Sequence, residues 1–402
     1  MILKLKSILF SVILWAALSS CGLGENLLDE DLAPPSLTAQ PSPVKVLTLN
    51  SAPTPGLLPH SLYFLSDLET GTIQVWRMEE DASKLTQITN EPADVNDYDI
   101  SPANGHLAYT SENRLYIAES DGGNKLLIFD ESNDATIPAA RLHSLHWSTD
   151  GKMLAFGHGG IYIYSLDTGS LVKALPDEVF SSAGDESKIS YSPYLWSPVE
   201  ARLLVDITRP TMGATLGVFT PSSGEMVYLG LTILNGDKNP VCCQATWSID
   251  GKYILIANPF YLDINRPGLW KFDGLSGDGI ELIPYQSLDG TTNLVGWPTQ
   301  KQNRDWVYFY ANFPGEPETG VGLTIVRSKE GMFNECTPLR EETFSPQEVL
   351  WASEDNHWTG VIVQPVPGKT TWSASGPVIL IKDDGNPGLP LIPRGYNLHW
   401  GP

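Results

Sequence analysis

The sequence predicts an all-β fold, a seven-bladed β-propeller of four-stranded blades spanning residues 60–402. Three observations predict it: a tryptophan that returns about every fifty residues, strand-and-turn grammar after most of those tryptophans, and no sustained helical period after the N-terminal segment. Trp147, Trp196, Trp247, Trp297, Trp351 and Trp400 are spaced 49, 51, 50, 54 and 49 apart, so six of the twelve tryptophans occupy one repeating slot. One step back, the slot falls on Ile100 in Asp99-Ile100-Ser101-Pro102. Polar turns follow two of the slots, Ser148-Thr149-Asp150-Gly151-Lys152 and Ser248-Ile249-Asp250-Gly251-Lys252. Apolar runs such as Leu154-Ala155-Phe156, Ile254-Leu255-Ile256 and Val307-Tyr308-Phe309 come next, and a further run such as Ile161-Tyr162-Ile163-Tyr164 or Leu269-Trp270-Lys271-Phe272 follows. Pairs such as Asp121-Gly122, Thr168-Gly169 and Asp384-Gly385 then lead into a fourth, weaker strand. Short β-branched and aromatic runs between Asp/Gly turns are the pattern of hairpins, and four strands per fifty residues is what one propeller blade requires.

The chain ends predict how the ring closes. Residues 61–90 supply three strands without a slot strand before them. The missing strand sits in Tyr396-Asn397-Leu398-His399-Trp400, so the C-terminal strand is expected to join the N-terminal blade. Closure of this kind removes exposed sheet edges, which otherwise template aggregation.

The N-terminal segment predicts export. Lys4 and Lys6 precede an apolar run from Ile8 to Leu18, too short to span a bilayer comfortably, which reads as a signal peptide over residues 1–20. The tetrapeptide Leu18-Ser19-Ser20-Cys21 resembles a bacterial lipobox. That resemblance implies cleavage before Cys21 and a diacylglycerol on its thiol, hence a membrane anchor and a place in the cell envelope outside the cytoplasm. Residues 21–59 read as the lipidated cysteine and a tether, acidic at first and then carrying Pro34, Pro35, Pro41, Pro43, Pro53, Pro55 and Pro59. Such a spacer extends at roughly 3 Å per residue, or about 100 Å in all. The run Val44-Lys45-Val46-Leu47-Thr48-Leu49 within it is the one piece able to pair as an edge strand, and tether is the expected reading.

Charge excludes one class of partner. The chain carries 25 basic and 47 acidic residues, a net −22, and removing Lys4 and Lys6 with the signal peptide leaves 23 basic residues and a net −24. A surface of this sign repels phosphate backbones, so no nucleic acid is expected as a partner.

The repeat itself resembles a known family. His146-Trp147-Ser148-Thr149-Asp150-Gly151-Lys152 and Thr246-Trp247-Ser248-Ile249-Asp250-Gly251-Lys252 are similar to the Trp-Ser-Pro-Asp-Gly-Lys repeat of TolB-type, WD40-like propellers, and Trp196-Ser197-Pro198 matches its opening. The resemblance covers roughly residues 60–402, well in two or three blades and loosely elsewhere. Blades at Trp297 and Trp351 lack the Ser-Pro-Asp-Gly turn, no Trp-Asp pair occurs, and the mixed N-terminal domain of TolB has no counterpart. Relatives of this repeat also form the lid of prolyl-oligopeptidase-like enzymes. The given chain ends at Pro402 without a Gly-x-Ser-x-Gly nucleophile elbow, so that enzyme is not expected.

Chemistry, if present, is expected where the slot strands begin. Four residues before each slot the column reads Asn96, His143, Ser192, Cys243, Asn293, Gln347 and Tyr396, and two before it Tyr98, Leu145, Tyr194, Ala245, Val295, Val349 and Leu398. Strand alternation places both columns on one face, a polar ring above an apolar one. The ring is either a wet channel lining or a polar binding site, the latter helped by Asp97 and Glu348 if irregular strand starts turn them inward. The loops between second and third strands lengthen in the later blades, at 209–214, 258–267, 313–320 and 364–375, and carry Phe260, Tyr261, Arg266, Phe313 and Trp372. Exposed aromatics with arginine are the makings of an interface hot spot. Cys336 and the adjacent Cys242-Cys243 fall on different blades, so a bridge between them is geometrically poor. The adjacent pair forms either a vicinal disulfide or two thiols, and thiols are expected.

Signals for metal binding are thin: His143 and His146 share a strand with His158 nearby but diverge on alternating faces and read as structural, and Asp263 and Asn265 lack the remaining oxygen-ligand spacing of a calcium site. No metal or cofactor is therefore expected, no phosphate-cradling loop opens a helix, and no catalytic residue stands out in so acidic a chain. The sequence therefore points to a lipid-anchored propeller that holds an envelope protein or a glycan. The alternative is an extracytoplasmic hydrolase or lyase acting at the channel mouth with Asp97, His143 and Glu348.

Overall fold

The structure, a computed structural model, describes residues 45–48, 54, 56–131, 141–182, 185–209, 213–230, 244–259, 268–315, 321–333, 335–354, 357–366 and 375–402. The described residues are all-β, without a helix. In chain order, the first group holds β1 (Val46–Thr48), β2 (Leu62–Ser66), β3 (Gln74–Met78) and β4 (Lys84–Gln87). Next come β5 (Val95–Ile100), β6 (Leu107–Ser111), β7 (Arg114–Ala118) and β8 (Leu126–Asp130), then β9 (His143–Trp147), β10 (Met153–Gly157), β11 (Gly160–Ser165) and β12 (Leu171–Pro176). A five-stranded sheet follows, β13 (Glu178–Ser182), β14 (Asp185–Trp196), β15 (Leu203–Arg209), β16 (Gly213–Thr220) and β17 (Glu225–Tyr228). The later groups are β18 (Gln244–Trp247), β19 (Tyr253–Ala257), β20 (Leu269–Asp273) and β21 (Gly279–Ile283), then β22 (Thr291–Gln300), β23 (Trp306–Pro314), β24 (Thr324–Ser328) and β25 (Thr337–Pro338). Last are β26 (Glu348–Glu354), β27 (His357–Val363), β28 (Gly376–Lys382) and β29 (Leu389–Trp400). Apart from β1, which pairs with β4, neighbours within each group pair antiparallel in sequence order, as hairpins joined by short turns dictate.

The Ser-x-Asp-Gly-Lys turns show how a short motif sets the first hairpin of a group. Ser148 Oγ donates to Asp150 Oδ1 at 2.7 Å and accepts from Met153 N at 2.9 Å, while Lys152 N donates to Asp150 Oδ1 at 3.1 Å. Gly151 takes φ +67, which a side chain resists, so each residue of the motif has a separate task. Ser248, Asp250 and Lys252 repeat the arrangement around Gly251 at φ +65.

β29 belongs to two groups. Its first half pairs with β28, from Leu380↔Leu389 to Gly376↔Gly395, and its second half pairs with β2, at Leu62↔Trp400, Tyr63↔His399 and Leu65↔Tyr396. The segment expected as tether contributes one strand, which corrects that part of the reading. Val46–Thr48 pair with Thr86, Leu85 and Lys84 of β4, and Leu58, only 2% exposed, packs in the adjoining core. The pairing satisfies backbone groups along β4 that an uncovered edge would leave to solvent.

Each buried cluster straddles two successive groups. Leu115, Leu145, Trp147 and Phe156 join β7 to β9 and β10, and Val205, Phe219, Ile161 and Tyr191 join the next two groups. Val218, Trp247 and Ile254 then continue the series, as do Leu255, Val295 and Tyr308, and after them Phe309, Trp358 and Ile381. Phe64, Trp76, Val361 and Leu380 join the last group to the first, and Leu65, Val75, Tyr98 and Tyr109 join the first to the second. The slot tryptophans add a directional bond to this packing. Trp196 Nε1 donates to His146 O at 2.8 Å, Trp247 to Leu195 O at 3.3 Å, Trp351 to Trp297 O at 2.9 Å, and Trp400 to Trp351 O at 3.1 Å. A buried indole thus spans from its own slot strand to the one before. This is a specific reason for tryptophan, beyond its size, at that slot.

Candidate functional site

Side chains cross between successive slot strands in the series β5, β9, β14, β18, β22, β26 and β29. A slot strand pairs with its own second strand on one edge only. The N–H groups on its other edge need acceptors from elsewhere. Asp97 Oδ2 of β5 accepts from Leu145 N of β9 at 3.0 Å, and Asp99 Oδ2 accepts from Trp147 N at 2.6 Å. Glu348 of β26 takes Asn397 N on Oε2 at 2.8 Å and Leu398 N on Oε1 at 2.5 Å. Tyr194 OH accepts from Ala245 N at 3.0 Å, and Gln244 Oε1 from Trp297 N at 2.8 Å. These six bonds staple neighbouring slot strands together.

Three carboxylates meet beside the last residues of β29, at Asn397, Leu398 and His399. Asp97 Oδ1 accepts from Tyr98 N at 2.9 Å and from Asn397 Nδ2 at 3.1 Å, while Asp99 Oδ1 accepts from Ile100 N at 2.8 Å and stands 3.0 Å from His399 Nδ1. His399 Nε2 lies 3.1 Å from Asn397 Oδ1, and the His399 ring meets Tyr98 edge-on at 4.9 Å. Tyr98 OH donates to Asn397 O at 2.6 Å. Burial raises Asp97 and Glu348 above the usual carboxylate range, against the pull of the backbone donors that bind them. Burial alone would lower His399, but Asp99, Glu348 and Asp97 outweigh it and raise the imidazole. His146, near Asp99 and His399, is pushed down to about 4 by desolvation.

Irregular strands decide which of the expected residues arrive here. The register of β5 shifts between Val95 and Asp97, which leaves Asn96 exposed and lets Asp97 reach β9. Glu348 comes from a regular strand and joins Asp97 on opposite sides of Asn397. His143 does not join them. Its Nδ1 lies 3.0 Å from Ser144 Oγ, burial lowers its pKa, and its ring sits over Gly157, where a Cβ would come within 2.3 Å. Asn293, 3% exposed, spends its amide locally: Nδ2 donates to Pro284 O and Ser287 Oγ, and Oδ1 accepts from Tyr310 OH and Asn312 Nδ2. It fixes the turn entering β22 and has no group to spare for a ligand. Gln347 is half-buried with an unpartnered Oε1, and Tyr396 is half-buried with its hydroxyl raised by burial.

Phe313 is half-buried on β23 opposite Thr292 and packs against the Phe309 cluster. Cys336 is half-buried beside the Tyr308 cluster, and burial raises its thiol. Cys21, Cys242, Cys243, Phe260, Tyr261, Arg266 and Trp372 lie outside the described residues. Sequence reasoning missed Asp99, His399, Asn397 and Gln244 as parts of this seam. Regular alternation puts His399 on the face opposite Tyr396 and Leu398. Asn397, at φ +51, breaks that alternation, and an asparagine just before the slot strand's end was the available signal.

The arrangement holds neighbouring slot strands to one another. Both oxygens of Asp97 and of Glu348 accept from N–H donors, and losing either side chain as an acceptor would leave backbone amides unpaired, at about 1–3 kcal/mol each. Among the described residues no three His, Cys, Asp or Glu side chains are placed to share a metal ion.

No protein-family model matches the chain, and no curated protein matches it either. It is similar to the solved structure of a prolyl endopeptidase at 14% identity and a TM-score of 0.43, over 71% of this chain and 41% of that one. It therefore spans less than half the length of that enzyme. A TolB candidate from Agrobacterium tumefaciens is similar at 14% identity and a TM-score of 0.37, over 71% of this chain and 89% of that one. An oligogalacturonate lyase from Vibrio parahaemolyticus is similar at 12% identity and a TM-score of 0.34, over 63% of this chain and 85% of that one.

Proposed function

We propose that the chain is a lipid-anchored extracytoplasmic scaffold, a seven-bladed TolB-like β-propeller that holds an envelope protein, or a glycan, on the face where its slot strands begin. The observation that carries the scaffold reading is the saturation of Asp97 and Glu348, the two carboxylates best placed for acid–base work, by the amides of Leu145, Tyr98, Asn397 and Leu398. A propeller is supported by four-strand groups that recur with the tryptophan slot, by core clusters that straddle successive groups, and by a final strand shared with the first group. Anchoring is supported by the lipobox pattern at Leu18–Cys21 alone.

Cross-linking in intact cells followed by mass spectrometry of the captured peptides tests the reading. Reproducible links from residues 209–214, 258–267, 313–320 or 364–375 to one envelope component are the expected result. Scattered links, together with a hydrolytic or lyase activity lost in Asp97→Asn, would sink it. A Cys21→Ser substitution should shift the protein from the membrane to the soluble fraction on cell fractionation.

A further inference from the structure

The Asp99–His399–Asn397 chain makes a conformational device that lies beyond the scaffold reading and does not depend on it. Asn397 Nδ2 donates to Asp97 Oδ1, so the amide oxygen of Asn397 is the atom turned to His399 Nε2. The other ring nitrogen, Nδ1, faces Asp99 Oδ1 at 3.0 Å. Both nitrogens of one imidazole therefore face acceptors, and only a doubly protonated ring can donate to both. The same seam already holds three carboxylates, Asp97, Asp99 and Glu348, each taking backbone N–H groups as acceptors. We propose that His399 is a proton-controlled latch, an imidazolium that fastens the last strand of the chain to β5 and releases it on losing a proton.

A neutral His399 has one N–H, so either Asp99 or Asn397 Oδ1 would face a ring lone pair at about the same distance. The seam would lose one bond and the positive charge that offsets the three carboxylates. The ionisable groups facing the ring are Asp97, Tyr98 and Asp99 from β5, Glu348 from β26 and His146 from β9. On β2, Tyr63 pairs opposite His399 but sends its hydroxyl to Ser120 O at 3.2 Å, and β28 pairs only with the first half of β29.

The direction of the pH effect follows from those groups. A raised His399 contributes stability that is fully present below the unfolded value of about 6.5 and is lost as pH rises through its folded value. The raised carboxyls of Asp97 and Glu348 act with the same sign. His146 acts oppositely, with stability lost as pH falls, but its change lies near 4 and outside the window. The latch is closed in mildly acidic solution and opens toward alkaline pH.

Titration of ¹⁵N-histidine-labelled full-length protein by NMR reads the charge directly, and amide hydrogen exchange over residues 396–400 reads the strand. His399 should titrate above 6.5, and protection of those amides, corrected for the intrinsic pH dependence of exchange, should fall as it loses its proton. The fall should be about tenfold for each unit by which the pKa is raised. Asp99→Asn keeps an acceptor and removes the charge, so it should move the midpoint down toward 6.5. His399→Gln should remove the part of the pH dependence that follows the imidazole titration, leaving only the contribution of Asp97 and Glu348. If His399→Gln does not fold, the wild-type and Asp99→Asn titrations still decide. A His399 that titrates at or below 6.5, or protection that stays level across its titration, overturns the latch.

Discussion

Glu348 illustrates how one carboxylate can serve the edge of a neighbouring strand. Its two oxygens hold Asn397 N and Leu398 N on the free edge of β29. Truncation leaves both donors without their acceptor, and a buried unmet donor costs about 1–3 kcal/mol. Glu348→Ala is expected to destabilise the fold by about 2–4 kcal/mol in urea unfolding, and Glu348→Gln, which keeps one acceptor oxygen, by clearly less. Equal losses in the two variants would mean that the bonds matter less than the packing. The Trp400 indole separates the same two contributions differently. Trp400→Phe keeps most of the ring but loses the bond to Trp351 O, an expected cost of about 1 kcal/mol. The tryptophan slot was legible from its fifty-residue period alone, whereas the bonds from the Trp196, Trp247, Trp351 and Trp400 indoles to the preceding slot strand were not, because period carries no information about which carbonyl lies across the seam.

Turns and strand irregularities explain which parts of the site the sequence could reveal. The Ser-x-Asp-Gly-Lys turns were legible because the bonds that shape them, from the serine hydroxyl and the aspartate carboxylate, are local, within five residues, although Thr149 Oγ1 also reaches Ser197 O and Ile249 N reaches Gln300 Oε1. The polar column at the strand starts was not, because it assumed unbroken alternation. Register shifts on β5, β9 and β29 insert a residue and reverse the side-chain parity beyond it. Asp97 gained its place by such a shift and Asn96 lost its own, while His399 was hidden by the one at Asn397. Two glycines test how far a turn depends on its neighbours. Gly151 and Gly169 share nearly the same backbone, at φ +67 and +66. An added Cβ at Gly169 meets open space, but at Gly151 it would lie 2.5 Å from Ser101 Oγ and 2.9 Å from Ala103 Cβ. Gly169→Ala should therefore cost only the left-handed strain, about 1–2 kcal/mol. Gly151→Ala should cost more by thermal unfolding, because that turn packs on the preceding group. Matching losses would show that the contact with Ser101 relaxes freely.

The joining of chain ends through β29 sets a hierarchy among the edges of the fold. Its second half pairs with β2 over a sequence separation of more than 300 residues, so this pairing carries the entropic cost of closing a long loop. Leu398 then completes the cluster with Phe64, Trp76 and Val361, and Glu348 and Asp97 tie the strand to both neighbours. β1, by contrast, is a three-residue strand on an outer edge, with Val46 47% exposed. Deleting residues 45–48 should lower the midpoint of thermal unfolding by only a few degrees and leave a single transition. Deleting residues 396–402 bares the edge of β2 and the Phe64 cluster together, and should broaden unfolding and produce aggregates on size-exclusion chromatography. If the two deletions behaved alike, stability would be a sum of independent sheets. A large difference between them means that the seam at β29 makes one cooperative body of the groups it joins.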